Sequence, residues 1–310
     1  MSSLNTNIAA MTALQTLRST NSELLQTQNR ISTGLRVSSA SDNAAYWSIA
    51  TTMRNDRQSI STVSDALGLG SATAEIASKG IESAIKIASE IKDKLLAART
   101  PGVDRSKIQS EISELQESLK AVVDGASFNG QNWLKTDSGE ESARTIVSSF
   151  SRGSDGKISI GTISVDLDST RLIDSTDSTG ASTGGILDGE IALATGSDTV
   201  TVLDLDISEI EDTADDLADL EAMISGVDSA IEKMTDAAST LGAVKTRIDI
   251  QKDFADSLMS AIDKGVGQLV DADMNEESTR LQALQVRQQL GIQALGIANQ
   301  SAQSILSLFR

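Results

Sequence analysis

The chain has 310 residues and a formal net charge of −18, and it contains no histidine and no cysteine. It therefore lacks the usual proton shuttle at neutral pH, a thiol nucleophile and the common zinc ligands, which argues against an enzyme. The negative charge argues against binding to nucleic acid or to an anionic membrane surface. No apolar run approaches the roughly 18 residues of a membrane span, and no cleavable secretory signal is visible. If the chain leaves the cell, we expect it to use another route.

Charge is distributed unevenly along the sequence. Residues 1–45 carry three arginines and two acids, residues 275–310 have the same balance, and the remainder holds a net charge of −20. Near-neutral ends are typical of helices that pack among other helices, whereas an acidic middle is suited to solvent. We therefore expect the two ends to act together and the middle to form a separate part.

Residues 4–35 form the first predicted element, a long amphipathic helix of moderate propensity. Apolar residues recur there at steps of three and four, separated mainly by Asn, Gln, Thr and Ser. Such a helix gains most of its stability from packing. A break follows, in which Gly34 is suited to a left-handed cap and Ser39 with Asp42 resembles a capping box for the next helix.

The second predicted helix covers residues 42–99. Its three glycines, Gly68, Gly70 and Gly80, each weaken a helix, so they allow a bend. The large side chains of Tyr46 and Trp47 near its start are expected to be buried. A third helix is predicted from an N-cap at residue 104 to a stop at residue 125.

After residue 128 the sequence pattern changes from one typical of helices to one typical of short strands. Residues 145–150, 157–167 and 199–205 have β-branched or alternating patterns, separated by turn residues. Residues 204–221 hold nine acids without a basic residue, but Glu209 stands where a calcium-binding EF-hand needs glycine and Asp215 replaces its final glutamate. The favoured interpretation of this segment is a solvated face that leads into a helix.

A long helix is predicted from about residue 207 to residue 262, with a break at residues 264–267 and a C-terminal helix after it. Read from Leu281, steps of three and four give the seam of a coiled coil. The seam residues are Leu284, Gln288, Gly291, Leu295, Ala298, Ala302, Ile305 and Phe309. A second apolar stripe of Val286, Leu290, Ile297 and Leu308 lies off this seam. A helix that is apolar on more than one side expects several neighbours.

The predicted fold is mainly α with a small β-rich insert. Long antiparallel helices fold back as a rod, and the N- and C-terminal helices pair as a coiled coil. Three domains are expected: an inner coiled-coil domain (1–40 and 268–310), a helical middle domain (41–136 and 205–267) and an outer β-rich insert (137–204). The residues expected to pack between subunits are Leu4, Ile8, Met11, Leu14, Leu284, Leu295 and Ile305. Gly34 and Gly267 are the candidate joint.

Several short motifs, in this order, resemble those of bacterial flagellins. They are residues 4–10 (LNTNIAA), 31–37 (ISTGLRV), 41–45 (SDNAA), 128–130 (FNG), 241–244 (LGAV), 271–273 (DAD), 298–300 (ANQ) and 304–308 (SILSL). The sequence Tyr46-Trp47-Ser48 resembles the alphaproteobacterial type. The resemblance covers roughly residues 1–135 and 225–310.

The resemblance implies a subunit of the flagellar filament that is exported unfolded through the flagellar type III route. Its terminal helices form an inner tube on assembly, the middle helices form the next layer and the insert faces outward. The implied partners are other copies of the chain, other flagellins, an export chaperone on the C-terminal helix and hook-associated proteins, with no cofactor. Residues 86–91 (KIASEI) lack the arginines of the family's recognition site for toll-like receptor 5, which argues against that interaction.

Three other functions compete with this interpretation of the sequence. A hook–filament junction protein shares the terminal architecture but does not polymerise at length. A coiled-coil signalling or effector protein would fold stably as a dimer and would not need matched breaks at both ends. A flagellin with a metallopeptidase insert needs an H-E-x-x-H motif, which a chain without histidine cannot contain.

Overall fold

The computed structural model describes residues 7–136, 143–153, 155–174, 184–195 and 199–307, with side chains as far as residue 300. The helices are α1 (Ile8–Thr33), α2 (Ala44–Ala98), α3 (Arg105–Gly125), α4 (Ala214–Val270) and α5 (Met274–Ser307). The chain divides into two compact units, which we name the terminal unit (Met1–Gln58 and Met259–Arg310) and the middle unit (Ser59–Leu258). The fold is mainly α with a small β-rich region, as predicted. The division into three functional domains stays a prediction.

In the middle unit α2 and α4 are antiparallel, and their pairing keeps one register. The linked pairs are Ser64 with Asp256 (3.2 Å), Ser71 with Asp249 (3.0 Å), Glu75 with Lys245 (3.0 Å), Lys92 with Asp228 (2.7 Å) and Arg99 with Glu221 (3.4 Å). In every pair the two residue numbers total 320. Each turn of α2 therefore meets a fixed turn of α4.

One row of buried residues on each helix follows the spacing of a coiled coil. On α2 they are Ile60, Val63, Leu67, Gly70, Ala74, Ala77, Ile81, Ala84, Ala88, Ile91, Leu95 and Ala98. On α4 they are Leu220, Met223, Val227, Ala230, Met234, Ala237, Leu241 and Ile248. Apart from Ile60 and Gly70, these residues belong to one hydrophobic core, so burial rather than helix propensity supplies most of the stability.

No break occurs in α2 at its glycines, and two of them have a packing role instead. A Cβ built at Gly80 would lie 2.7 Å from Leu134 Cδ1 and 2.9 Å from Ala126 Cβ. A Cβ built at Gly70 would lie 2.7 Å from Ile146 Cδ1. The glycines therefore allow the region after α3 to approach the helix closely.

The third helix has the predicted bounds, although the Asp104 side chain makes no capping hydrogen bond. The strands are β1 (Ser127–Phe128), β2 (Gln131–Asn132), β3 (Lys135–Thr136), β4 (Ala143–Arg152), β5 (Ile158–Asp166), β6 (Ile173–Asp174), β7 (Ile191–Ala192) and β8 (Thr199–Val200). β1–β2, β4–β5 and β7–β8 pair antiparallel, and β3–β6 pair parallel. The predicted strands at 145–150 and 157–167 are confirmed as β4 and β5.

The strand predicted over residues 199–205 is wrong beyond its first two residues. Residues 202–204 form a short 3-10 helix, in which Val202 and Leu203 are adjacent and both buried. A strand sends neighbouring side chains to opposite faces, so it could not bury both on one side. The amide of Gln116 on α3 holds this turn by donating to the Val202 carbonyl at 3.1 Å.

α4 begins seven residues later than predicted. Leu205 and Ile207 are buried beside α3, where the Ile207 N–H donates to Gln109 Oε1 and the Gln109 amide donates to the Leu205 carbonyl, both at 3.0 Å. Because residues 205–207 are held against α3 by these bonds, they do not join the helix. The helix starts only where the Thr213 hydroxyl accepts from the Asp216 N–H at 3.2 Å.

The break predicted at residues 264–267 is also wrong, because α4 continues to Val270. Val266 and Val270, one helical turn apart, are both buried with Val37 and Ala50 in a small core of the terminal unit. Their burial outweighs the cost of two glycines, about 1 kcal/mol each. Gly267 therefore lies inside α4, and residues 271–273 form the break.

The break between α1 and α2 agrees with the prediction at Gly34. This residue has a positive φ of 71°, and its N–H donates to the Arg30 carbonyl at 2.8 Å. Glycine adopts this left-handed conformation without a steric penalty.

The predicted capping box for α2 is wrong. Asn43 caps the helix instead, accepting from the Tyr46 N–H at 3.1 Å. The Asp42 carboxylate accepts from the N–H groups of Ser38 and Ser39, both at 3.0 Å. These bonds, with that from Ser39 first, lower the pKa of the Asp42 carboxyl from its ordinary value.

Candidate assembly interface

In the terminal unit α1 and α5 lie side by side and antiparallel. The Asn7 side chain donates to the Ala298 carbonyl (2.9 Å), the Gln288 amide donates to Asn21 Oδ1 (2.7 Å), and Arg30 pairs with Glu277 (3.1 Å). These contacts join opposite ends of the sequence along the whole length of α1. The prediction that the terminal helices pair as a coiled coil is confirmed.

The contact face of α5 follows the predicted seam. The less exposed residues are Glu277, Leu281, Leu284, Gln288, Gly291, Leu295 and Ala298, at alternating steps of four and three. Leu284 is the most deeply buried apolar member. A Cβ built at Gly291 would lie 3.1 Å from Leu17 Cδ1, so the small residue permits close approach. The side chains of residues 302, 305 and 309 lie outside the described residues.

The contact face of α1 is formed by Ala10, Ala13, Leu17, Thr20, Leu24, Thr27 and Ile31. Sequence reasoning missed its alanines and threonines because it selected large apolar residues. Thr20 and Thr27 are each only 3% exposed. The Thr20 hydroxyl donates to the Thr16 carbonyl at 2.9 Å, so its burial leaves no unpaired donor. The regular spacing of Ala10, Ala13 and Leu17 was the available signal.

The residues predicted to pack between subunits divide into three groups. Leu284 and Leu295 lie on the seam with α1 of the same chain. Ile8, Met11 and Leu14 are exposed and lie off that seam. Leu4 and the side chain of Ile305 lie outside the described residues. Contacts of these residues with other subunits stay a prediction.

A second face of α5 remains uncovered within the chain. Val286, Leu290 and Ile297 are between 55% and 68% exposed. Their helical positions are opposite the seam with α1, since each lies about half a turn away from the seam residues. One chain therefore buries one side of this helix and leaves a second apolar stripe, which we name the outer α5 stripe, in solvent.

A buried carboxylate lies at one end of the helix pair. Glu277 occupies a seam position and is 4% exposed, and its Oε1 accepts from Arg30 (3.1 Å) and Arg280 (3.2 Å). Among the residues that the structure describes, its Oε2 has no hydrogen-bond partner. Such a polar group in a coiled-coil seam costs stability but restricts the register and orientation of the helices.

Neither a metal site nor a membrane span is found among the described residues. Within the described ranges no group of three or more acids could hold a metal ion. None of the helices, as far as they are described, is long and apolar enough to cross a membrane. The paired terminal helices and their exposed apolar stripe define a class of protein, the helical assembly subunit.

Comparison with known proteins identifies the family. The family model for the bacterial flagellin N-terminal helical region matches residues 4–138, and that for the C-terminal helical region matches residues 224–309. Flagellin C of Rhizobium meliloti (strain 1021) is 48% identical over 320 aligned positions, and Flagellin A of the same strain is 42% identical over 395. A flagellin of Brucella melitensis biotype 1 is 42% identical over 313 positions. All three alignments cover both chains completely.

The crystal structure of a Bacillus cereus flagellin is 18% identical, with a TM-score of 0.37, covering 64% of this chain and 88% of that one. The family assignment rests on the sequence matches. The chain belongs to the bacterial flagellin family. As a member it is a structural subunit of the flagellar filament and not an enzyme.

Proposed function

We propose that the chain polymerises through its terminal unit, with the outer α5 stripe buried by neighbouring copies. The observation that carries this proposal is the second apolar face of α5, which α1 does not cover. A helix with apolar residues on opposite sides needs neighbours on both. Contacts that do not close into a ring then extend as an open helical filament.

Charge supports a layered arrangement of the subunit in the filament. The terminal unit holds nine basic and eight acidic residues, whereas the middle unit holds 17 basic and 36 acidic residues. Residues 1–40 and 268–310 form the inner layer, residues 41–136 and 205–267 the next layer, and residues 137–204 the outward insert. Within the inner layer Leu4, Ile8, Met11, Leu14 and Ile305 contact neighbouring copies, while Leu284 and Leu295 contribute by holding α5 against α1 of the same chain.

The joint between layers contains Gly34 and Gly267. A two-state packing at the joint gives a filament the two subunit conformations that supercoiling requires. Gly34 supports this role through its left-handed cap at the end of α1. For Gly267 the support is position alone, one turn before the end of α4.

The filament lies outside the cell, and the chain reaches it through the flagellar type III route. Its other partners are an export chaperone that binds α5, hook-associated proteins and other flagellins. The exposed apolar residues of α5 are the chemistry that a chaperone would cover before export. Toll-like receptor 5 is not among the proposed partners, because residues 86–91 lack arginine.

Electron microscopy of purified protein tests the proposal. Leu290, on the outer α5 stripe, is 59% exposed, so Leu290→Asp should leave the single chain folded by circular dichroism. Seeded wild-type protein should form filaments, whereas the variant should form none, because the stripe cannot be buried with a charge on it.

The matched control is Ile158→Asp, which charges a similarly exposed residue on β5 in the outward insert. This variant should assemble as the wild type does. Normal filaments from Leu290→Asp would contradict the role of the stripe. Failure of all three proteins to assemble would count against polymerisation itself.

A further inference from the structure

An exposed aromatic patch lies at the start of α2. Tyr46 is 41% exposed and Trp47 is 39% exposed, and Ile49 beside them is half exposed. The sequence predicted that both aromatic side chains would be buried, and that prediction is wrong. Ala50 takes the position that packs into the core with Val266, and the larger residues flank it.

Large aromatic side chains are rarely left in water without a use, since they are among the most favourable residues to bury. The chain has only seven aromatic residues. Its other tryptophan, Trp133, is 2% exposed and belongs to the core of the middle unit. Trp47 is therefore exposed, whereas the other tryptophan of the chain is buried.

The patch also lies in an uncharged part of a strongly charged chain. Residues 43–53 contain no charged side chain. The only longer uncharged runs are residues 1–17 and 288–309, and all three runs fall in the terminal unit. The two longer runs carry the exposed apolar residues Ile8, Met11 and Leu14 of α1 and Leu290, Ile292 and Ile297 of α5. A surface without charge can be buried against a copy of itself without desolvating an ion or opposing like charges.

We infer that a second copy of this chain covers the Tyr46–Trp47 patch in the polymer, so that the patch is a subunit contact outside the coiled coil. This inference rests on the proposed function. It names an identical chain as the occupant because the patch shares its unit, its apolar character and its lack of charge with the faces proposed to pack between copies. An acidic or basic partner would find no complementary charge in residues 43–53.

The two tryptophans allow a direct test by fluorescence. In Trp133→Phe all tryptophan emission comes from Trp47, and in the matched control Trp47→Phe it comes from Trp133. On seeded polymerisation the emission of Trp47 should shift to shorter wavelength and lose most of its quenching by acrylamide. The emission of Trp133, which is already buried, should change little. If Trp133→Phe does not fold, the difference between wild type and Trp47→Phe supplies the same signal.

A substitution tests the contribution of the patch to assembly. Trp47→Asp should prevent filament formation at concentrations where wild type and Ile158→Asp assemble. Filaments in which Trp47 stays as accessible to acrylamide as in the monomer would overturn the inference and leave the proposed function intact. Normal assembly of Trp47→Asp would do the same. Absence of any polymer from the wild type would overturn both.

Discussion

At the scale of single residues, two glycines of α2 differ in how closely other residues pack against them. Gly80 is pressed against Leu134 and Ala126, whereas at Gly68 no described atom outside the adjacent helix backbone lies within 4 Å of the place a Cβ would occupy. Their intrinsic preferences in a helix are the same, so only the surroundings distinguish them. Sequence reasoning treated both as weak points of α2, because the contacts that separate them come from residues more than 45 positions away.

The two glycines make a matched pair of substitutions. Gly68→Ala should raise the free energy of unfolding by about 0.5–1 kcal/mol, because alanine favours the helix and meets nothing. Gly80→Ala should lower it by about 1–2 kcal/mol, because Ala126 Cβ cannot rotate away from the new methyl group. Urea unfolding followed by circular dichroism measures both. Equal effects of the two changes would show that packing at Gly80 is not tight.

The seam of α1 contains buried residues whose type does not predict their burial. Thr20 and Thr27 are polar by composition, yet both are buried at positions that a coiled coil fills with apolar side chains. A hydroxyl that bonds its own helix backbone presents mainly its methyl group to a neighbour. A search for leucine and isoleucine therefore finds Leu17, Leu24 and Ile31 but not the threonines between them.

At the scale of elements, the helices were predictable and their ends were less so. Spacing of apolar residues is a property of the local sequence, and it predicted α2, α3 and the seam of α5 correctly. The start of α4 depends on the attachment of Ile207 to Gln109, almost 100 residues earlier. Its end depends on the burial of Val266 and Val270 against Val37 and Ala50. Neither contact is visible in a local pattern.

The α1–α5 pair has few large buried side chains, so each one matters. Leu284→Ala should destabilise the pair by about 2–4 kcal/mol through lost contacts and a cavity. Amide hydrogen exchange in α1 should then become roughly 30-fold to 700-fold faster, since one factor of ten corresponds to about 1.4 kcal/mol.

Val286→Ala is the matched control for this prediction, because Val286 is exposed on the opposite side of the same helix. Exchange in α1 should stay close to that of the wild type in this variant. If both substitutions had the same effect, the register of the helix pair would be different from the one described.

At the scale of the whole molecule, all of the net negative charge belongs to the middle unit. The middle unit carries 36 acids and 17 basic residues, and many copies of it must be held close together in a filament. Like charges at such spacing oppose assembly. The near-neutral terminal unit is therefore expected to supply the attraction between copies, and this attraction must exceed the repulsion between their acidic middle units.

Assembly should accordingly depend on ionic strength. Raising NaCl from about 0.01 M to about 0.15 M shortens the screening length from roughly 30 Å to roughly 8 Å and should lower the critical concentration for polymerisation. Sedimentation of seeded protein at each salt concentration measures it. A variant with Glu209→Gln, Glu211→Gln and Asp215→Asn should depend less on salt. A critical concentration that rises with salt would contradict the argument.

The hydrogen bond from Asn7 to Ala298 joins residues 291 positions apart. Closing so long a stretch of chain cannot occur before its last segment has been made and delivered. A chain truncated anywhere before α5 leaves α1 without its only described partner for the seam. The pair therefore couples assembly to the presence of α5, since a chain that lacks this helix cannot present the paired surface. We expect such a chain to be left out of the growing filament.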